Sequence, residues 1–316
     1  MALMEMDVNK QTPDFLKKKL VLDLKGFSGE LYWHEPMSKH TTLKVGGPAD
    51  LLLFPKSEAD LALLMPILTK HALPIFVLGN GSNLLVRDGG ITGAVIHLRY
   101  LNQMKQVGAN HLFAESGVSY PKLALFAKDH GLSGLEFASG IPGSVGGAVA
   151  MNAGIPNYET AQVLISVRLM DFLGNKGNYS VQDLAFSYRK TTLPQALILS
   201  ATFILRSNPK RLIEAKMKHL LKRRQVTQPL QKPNCGSVFK NPPGQHAGAL
   251  IEAVGLKGFS IGDAQISERH GNFILNHGRA TASDCLALIT KIQEDVTQQT
   301  GITLALEVKV IGRDTP

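Results

Sequence analysis

Fifteen residues near the middle of the chain, GIPGSVGGAVAMNAG at 140–154, hold five glycines: Gly140, Gly143, Gly146, Gly147 and Gly154. Residues this small bury little apolar surface, so the stretch cannot supply a packed core of its own. Its backbone can instead approach a ligand closely, with N–H groups open to an anion. A hinge or a tight packing corner is the alternative. An earlier loop has the same character. In VLGNGSNLLVRDGG, 77–90, a strand ending at Leu78 runs into Gly79, Asn80, Gly81, Ser82 and Asn83. Small residues expose the backbone there, while Ser and Asn add side-chain donors. It is not a dinucleotide fingerprint, because G-x-G-x-x-G needs glycine at 84, where Leu84 stands. The G-x-x-x-x-G-K-[ST] phosphate loop is also absent. Two loops suited to phosphate point to a dinucleotide held outside a Rossmann crevice.

Strand-like and helical runs alternate around these loops. ADLLLFP (49–55) and PIFVLG (74–79) read as strands, with SEADLALLMPILTKHA (57–72) between them as a helix. Ser57 is its expected N-cap, and Asp60 resembles the acidic partner of a capping box. AQVLISVRLMD (161–171) and ALILSATFILR (196–206) carry the β-branched content of strong strands. The prolines of Gln228–Pro233 stop a basic helix at 211–225, and a segment of different style follows. It includes a helix at TASDCLALITKIQEDVTQQTG and closes on TLALEVKVIG, read as a strand. The class is α+β, with a β-rich first two-thirds and a separate α/β final third.

Composition narrows the function. With 44% hydrophobic and 19% charged residues in 316, the chain is that of an ordinary globular protein. Its longest apolar run, ALILSATFIL at 196–205, is too short for a membrane span of about 18 residues. The N-terminal twenty residues lack the apolar stretch of a secretory signal. Cys235 and Cys285, 50 positions apart, give neither a disulfide framework nor a metal spacing, so a cytoplasmic protein with free thiols is expected. His270 and His277 are seven apart, at no usual zinc spacing, and no metal is expected. Basic residues exceed acidic ones by 34 to 25, a net +9. Aromatic residues are only 6%, which argues against stacking on nucleic acid and for an anionic small substrate.

One serine sits in a stretch built like an active-site turn: KPNCGSVFKNP, 232–242, around Ser237. It can be a nucleophile, a helix cap or a proton donor, and the stretch alone does not choose. GFSIG at 258–262 matches the hydrolase elbow around Ser260, but a helix tail precedes it and a polar segment follows, so that reading fails.

Taken together, these motifs resemble the UDP-N-acetylenolpyruvoylglucosamine reductase family, flavoenzymes that make UDP-N-acetylmuramic acid for bacterial peptidoglycan. The resemblance runs from HTTLKVGGPAD (40–50) through both glycine loops, FSYRK (186–190), the Ser237 stretch and ISERHGNFILN (266–276) to LALEVKVIG (304–312). It implies an FAD-binding fold of the vanillyl-alcohol-oxidase (PCMH) type in two subdomains, 1–92 and 93–227, and a substrate-binding domain at 228–316. FAD would be held without a covalent link by Gly79, Asn80, Gly81, Ser82 and Asn83, and by Ser139, Gly140, Ile141, Gly143, Ser144, Gly146, Gly147, Ala148, Asn152 and Gly154. NADPH would reduce it, and hydride would then pass to the enolpyruvyl group of a UDP-sugar. The family's catalytic Arg, Ser and Glu fall on Arg189, Ser237 and Glu307. Tyr188, Lys240 and Asn241 match positions near the substrate. Many members have Ala and Phe around the Gly-Ser step, where this chain has Cys235 and Val238. Only 47 residues, 190–236, separate Arg189 from Ser237, which resembles the shorter type without a tyrosine-bearing insertion.

The chemistry of those residue types agrees. Hydride addition to an enol ether bearing a carboxylate leaves negative charge on carbon and carboxylate, which a cationic Arg189 and a protonated acid can stabilise. The carbanion then needs a proton, and a neutral hydroxyl such as that of Ser237 can deliver it. Glu307 is expected in an alternating strand beside Leu306 and Val308. A monomer without nucleic-acid partners or membrane insertion is expected. The rival readings are another FAD oxidoreductase on the same fold and a colourless UDP-sugar-binding regulator.

Overall fold

The computed structural model describes residues 14–315, so most of the N-terminal stretch considered for a secretory signal lies outside the described residues. The first unit is a four-stranded mixed sheet. Its strands Pro48–Phe54, Ile91–His97 and Ile75–Leu78 run parallel, with Glu30–Pro36 antiparallel at one edge. Pro48–Phe54 is buried almost throughout, which is why it reads as an unbroken apolar run: a central parallel strand is covered on both faces. Helix Glu58–Lys70 covers one face, turning Leu61, Leu64, Met65 and Leu68 inward at helical spacing. Ser57 caps it by accepting the Asp60 N–H at 3.1 Å. The Asp60 carboxylate departs from the expected box, accepting instead from Lys56 N–H and from the N–H and hydroxyl of Ser28. The loop Gly79–Asn83 leaves the carboxyl end of Ile75–Leu78, the end of a parallel sheet where ligands bind.

The second unit is a five-stranded antiparallel sheet in the order Lys176–Ser180, Leu164–Asp171, Ala196–Ile204, His111–Glu115, Met104–Val107. The long apolar run at 196–205 is therefore its central strand. In that strand Arg168 pairs with Ser200 but Leu169 pairs with Ile198, so Leu199 is an inserted residue. The bulge lets Ile198, Ala201 and Phe203 enter one core while Leu197 and Leu199 enter the core of the first unit. One strand thus fastens the two units together. Helices Tyr120–Asp129, Val145–Ala150 and Lys210–Thr227 accompany this unit. The last of these buries only Ile213 and Met217, which leaves most of its basic side chains to solvent.

The third core gathers helix Ala247–Ala253, helix Ala282–Thr300 and a small sheet of Ser260–Ile261, Ala264–Ile266 and Ile274–Asn276. GFSIG belongs to that sheet, not to a strand-to-helix elbow. The closing segment differs from its expected form. Regular strand is confined to Lys309–Ile311, which pairs in parallel with Leu84–Val86 of the first unit. Upstream, the Val238 carbonyl accepts both the Glu307 and Val308 N–H groups, at 2.8 and 3.2 Å. That doubled bond interrupts the regular ladder at Glu307, while Leu304, Leu306, Val308 and Val310 still turn inward in alternation against the third core. Arg313 then returns to Asp50, Gly89 and Thr92 of the first unit.

A second tie joins the first and third units. The Asp88 carboxylate accepts the Ala282 and Ser283 N–H groups at 2.8 and 2.9 Å, and the Ser283 hydroxyl at 2.7 Å. It meets donors of the first helical turn that have no partner inside the helix. Burial alone would raise the Asp88 carboxyl, but these hydrogen bonds outweigh it and hold it below the usual value. A depressed folded-state pKa contributes stability above the unfolded value, and that contribution is lost as pH falls through the folded one. Asp88→Ala should cost about 1 kcal/mol near neutral pH. In thermal melts the gap between the two proteins should close as the medium is acidified below the ordinary Asp range. A gap independent of pH would deny Asp88 this role.

Candidate active site

Ala185–Ser187 and Lys190–Thr192 form a short hairpin whose turn residues are Tyr188 and Arg189. Arg189 takes a left-handed φ of 56°, uncommon for a residue with a side chain. Two bonds hold it there. Its Nε donates to Glu307 Oε1 at 3.0 Å, and its Nη2 donates to the Gly154 carbonyl at 2.7 Å. The paired side chains are only 16% and 15% exposed. Tyr188 is largely exposed, with its ring centre 5.1 Å from the Arg189 guanidinium carbon.

Glu307 comes from the third unit, and backbone bonds fix it. Its N–H donates to Val238, and its carbonyl accepts Asn83 Nδ2 at 3.1 Å. Phe239 bridges antiparallel to Leu306, and Lys240 N–H donates to Ala305. The Ser237 stretch therefore lies beside the Glu307 segment. Asn272 pins it on the other side, through Oδ1 to Phe239 N–H and Nδ2 to the Phe239 carbonyl, both 2.8 Å. Ser237 caps no helix, since the next one downstream, Ala247–Ala253, has His246 as its N-cap. Ser237 is half-buried.

A cavity of 310 Å3 opens here, walled by Met151, Arg189, Lys190, Lys240, Glu307 and Lys309 among others. Ser237, Tyr188 and Asn241 lie outside its walls. Asn241 Oδ1 accepts the Ala247 N–H at 3.0 Å, which orients its amide. Four basic side chains around one carboxylate make the cavity electropositive. Burial raises the Glu307 carboxyl above its ordinary value, with Arg189 and Lys240 opposing.

The two glycine loops touch each other. Ser82 Oγ donates to the Pro142 carbonyl at 2.8 Å. Among the described residues, no backbone N–H of Gly79 through Asn83, nor those of Gly143 and Ser144, donates to another protein group. Unpaired donors clustered at the end of a parallel strand suit an anion such as a pyrophosphate. Gly81 has φ 60, and a side chain there would overlap the His40 carbonyl. Other members of the expected set serve the protein itself. Gly146 and Gly147 lie in the helix Val145–Ala150, outside the positive-φ region, and a Cβ on Gly146 would stand 2.8 Å from Ser116 Cβ. Packing explains that glycine. A Cβ on Gly147 would make only an ordinary contact, 3.5 Å from Ser144 Oγ. Ser144 Oγ accepts the Gly147 N–H, Ser139 Oγ donates to Glu136, and Ile141 N–H donates to Ala138. Gly140 lies against Arg224. Ala148 and Asn152 are 4% and 0% exposed, turned inward and closed to a ligand. Exposed Asn80 remains available.

Of the expected site residues, Arg189, Glu307 and Lys240 meet at one cavity. Sequence reasoning gives no role to Asn272, to the Gly154 carbonyl, or to Lys190 and Lys309. Lys309 stands two residues after Glu307 and carried a signal that spacing could have supplied. Lys190 directly follows Arg189, whereas Asn272 and the Gly154 carbonyl act through contacts distant in sequence.

Residues 228–311 match the model of the UDP-N-acetylenolpyruvoylglucosamine reductase C-terminal domain, and residues 49–175 match that of an FAD-binding domain. A UDP-N-acetylenolpyruvoylglucosamine reductase of Moorella thermoacetica is 43% identical over 300 residues, 92% of this chain and 99% of the relative. One from Clostridium kluyveri is 42% identical over 97% of this chain and the whole of the relative. The crystal structure of UDP-N-acetylenolpyruvylglucosamine reductase from Thermus caldophilus superposes with a TM-score of 0.77. It has 38% identity and covers 89% of this chain and 98% of that one.

The glycines separate packing from ligand contact. Gly147→Ala should fold normally, because the added Cβ makes only an ordinary contact, 3.5 Å from Ser144 Oγ. If backbone there approaches FAD, the variant should purify with clearly less flavin and an unchanged far-ultraviolet spectrum. Full flavin content would remove Gly147 from the cofactor site.

Proposed function

Because the chain belongs to the UDP-N-acetylenolpyruvoylglucosamine reductase family, we propose that Arg189, Glu307 and Ser237 are its catalytic groups. The protein is an FAD-containing oxidoreductase with a PCMH-type fold. It reduces UDP-N-acetyl-3-O-(1-carboxyvinyl)-glucosamine to UDP-N-acetylmuramate in peptidoglycan synthesis. The residues available to the FAD pyrophosphate are Gly79 to Asn83 with Gly143 and Ser144, whose N–H groups have no protein partner among the described residues. When bound, FAD supplies the hydride that reaches the terminal carbon of the enolpyruvyl group. NADPH is the proposed source of that hydride. Buried Cys235 and Cys285 lie outside both loops, which favours a non-covalent cofactor.

The Arg189–Glu307 pair at the wall of an electropositive cavity carries this reading. Arg189 Nε is held by Glu307 and one Nη2–H by Gly154, so the Nη1/Nη2 edge remains for the substrate carboxylate in a two-point fork. Charge that develops on that carboxylate falls on a guanidinium already fixed in place. Lys190, Lys240 and Lys309 add positive potential for the nucleotide sugar's phosphates. Tyr188 and Asn241, at the margin, are proposed to contact the rest of the substrate. Ser237 gives its hydroxyl proton to the carbon left negative by hydride addition and is reprotonated before the next turnover. Two free thiols fit a reducing cytoplasm, and among the described residues no helix is long and apolar enough to cross a membrane. We take the three units as working parts acting as a monomer, with the third beginning near residue 228. The second begins after strand Ile91–His97, which belongs to the first unit's sheet and moves the expected boundary at residue 92 downstream.

Ser237→Ala should leave reduction of the flavin by NADPH nearly unchanged. Reduction of the enolpyruvyl substrate should slow by about 10² to 10⁴, the range for a positioned general acid. Stopped-flow absorbance resolves the two steps, and equal slowing of both would reject a proton-donor role.

Glu307 gives a pH signature. Its raised pKa keeps the proton on at higher pH than usual, and the substrate carboxylate beside it favours that form further. If neutral Glu307 is active, substrate reduction holds at low pH and falls as pH rises through the raised pKa. Glu307→Gln, always neutral, should keep measurable activity and lose this alkaline limb. A variant that retains the limb would show that another group titrates.

A further inference from the structure

Asn152 closes the helix that follows the second glycine loop, and it is unusual in three respects. It is wholly buried, it takes a left-handed φ of 42°, and its amide bridges two separate segments. Oδ1 accepts the Ala161 N–H at 3.0 Å, while Nδ2 donates to the Ser187 carbonyl at 3.2 Å. Ser187 is the last strand residue before the Tyr188–Arg189 turn. The opposite arm is held from the same short segment, by Thr191 Oγ1 donating to the Val149 carbonyl at 2.5 Å. The guanidinium itself donates to Gly154, two residues after Asn152.

The geometry points to Asn152 as a positioning residue that sets the Arg189 turn, not as a contact for the cofactor. Residues 149–154 grip the hairpin at one arm, at the other arm and at the guanidinium. Asn152 is the one grip made by a side chain of that segment. Its left-handed backbone aims the amide at Ser187 and is strained for a residue with a Cβ, although asparagine tolerates it better than most. Without the Nδ2 donor the Ser187 carbonyl loses its partner and the turn is free to shift. Arg189 would then present its open edge to the substrate in a less favourable place. A displacement of about 1 Å at a reacting group costs on the order of 10²-fold in rate.

The inference rests on the proposed roles of Arg189 and Glu307, and the two can fail separately. Asn152→Gly is the decisive variant, because glycine accepts the backbone conformation and removes only the amide. Asn152→Asp keeps the acceptor for Ala161 and loses the donor to Ser187. Both variants should purify with full flavin content and be reduced by NADPH at the normal rate. Both should reduce the enolpyruvyl substrate on the order of 10²-fold more slowly. The groups facing Glu307 are Arg189 across the ion pair and Lys190, Lys240 and Lys309 around the cavity. Arg189 favours the Glu307 carboxylate, so moving it away lets Glu307 keep its proton to still higher pH. The alkaline limb of substrate reduction should therefore shift upward in both variants. A merely structural role would lower the melting temperature and leave that limb in place.

Loss of flavin from Asn152→Gly would return Asn152 to the cofactor site and overturn the inference. Wild-type substrate reduction in Asn152→Gly would also overturn it, since only the backbone angle would then matter. An unmoved limb in both variants counts against it equally. Glu307→Gln is the control: if it keeps the limb, the assignment of Glu307 fails first, whatever the Asn152 variants do.

Discussion

The Arg189–Glu307 ion pair joins two parts of the molecule that have separate cores. Arg189 stands on a hairpin turn of the second unit, and Glu307 on a broken strand of the third. Both side chains are mostly withdrawn from water, and a buried ion pair usually recovers in attraction little more than it loses in desolvation. Stability alone therefore gives small reason to keep it. The surrounding structure nonetheless holds each partner by several independent bonds, among them those from Gly154, Val238 and Asn83. Such over-determination, together with the left-handed backbone of Arg189, is what the proposed catalytic role would require of its surroundings. It leaves a guanidinium with one edge fixed and one edge open.

The same pair explains how the molecule uses its excess positive charge. The basic helix Lys210–Thr227 is prominent in the sequence, yet it supplies no wall of the cavity. Lys190, Lys240 and Lys309 do that, from three different segments. Arg224 on the helix is partly buried against Gly140, and that burial lowers its pKa. The conclusion that the substrate is anionic stands on other residues than those that first suggested it.

Legibility in the sequence follows the range of the interactions. Pro48–Phe54, the Ser57 cap and the helix Glu58–Lys70 are set by local pattern, and the sequence displays them. The bulge at Leu199 is invisible there, because it is defined by how Leu164–Asp171 pairs across the sheet. Glu307 sits in what reads as an alternating strand, and the alternation holds, but only the doubled bond to Val238 reveals the interrupted ladder. The glycine-rich loop was legible as a place of close approach, but not as to what approaches. For Gly146 it is Ser116, within the protein. Asn152 shows the same limit: its residue type fits a ligand contact, and only its burial reveals an inward role. The proposed catalytic set comes from family motifs, whereas the residues that brace it, Asn272 and Asn152, are legible only in three dimensions.

The central claim is that Arg189 and Glu307 act as one device. A double-mutant cycle on the rate of enolpyruvyl reduction, with Arg189→Lys, Glu307→Gln and both together, tests it directly. A single device predicts strong non-additivity: the double variant should lose little more than the slower single variant. Losses that multiply, with no coupling between the two sites, would contradict the account.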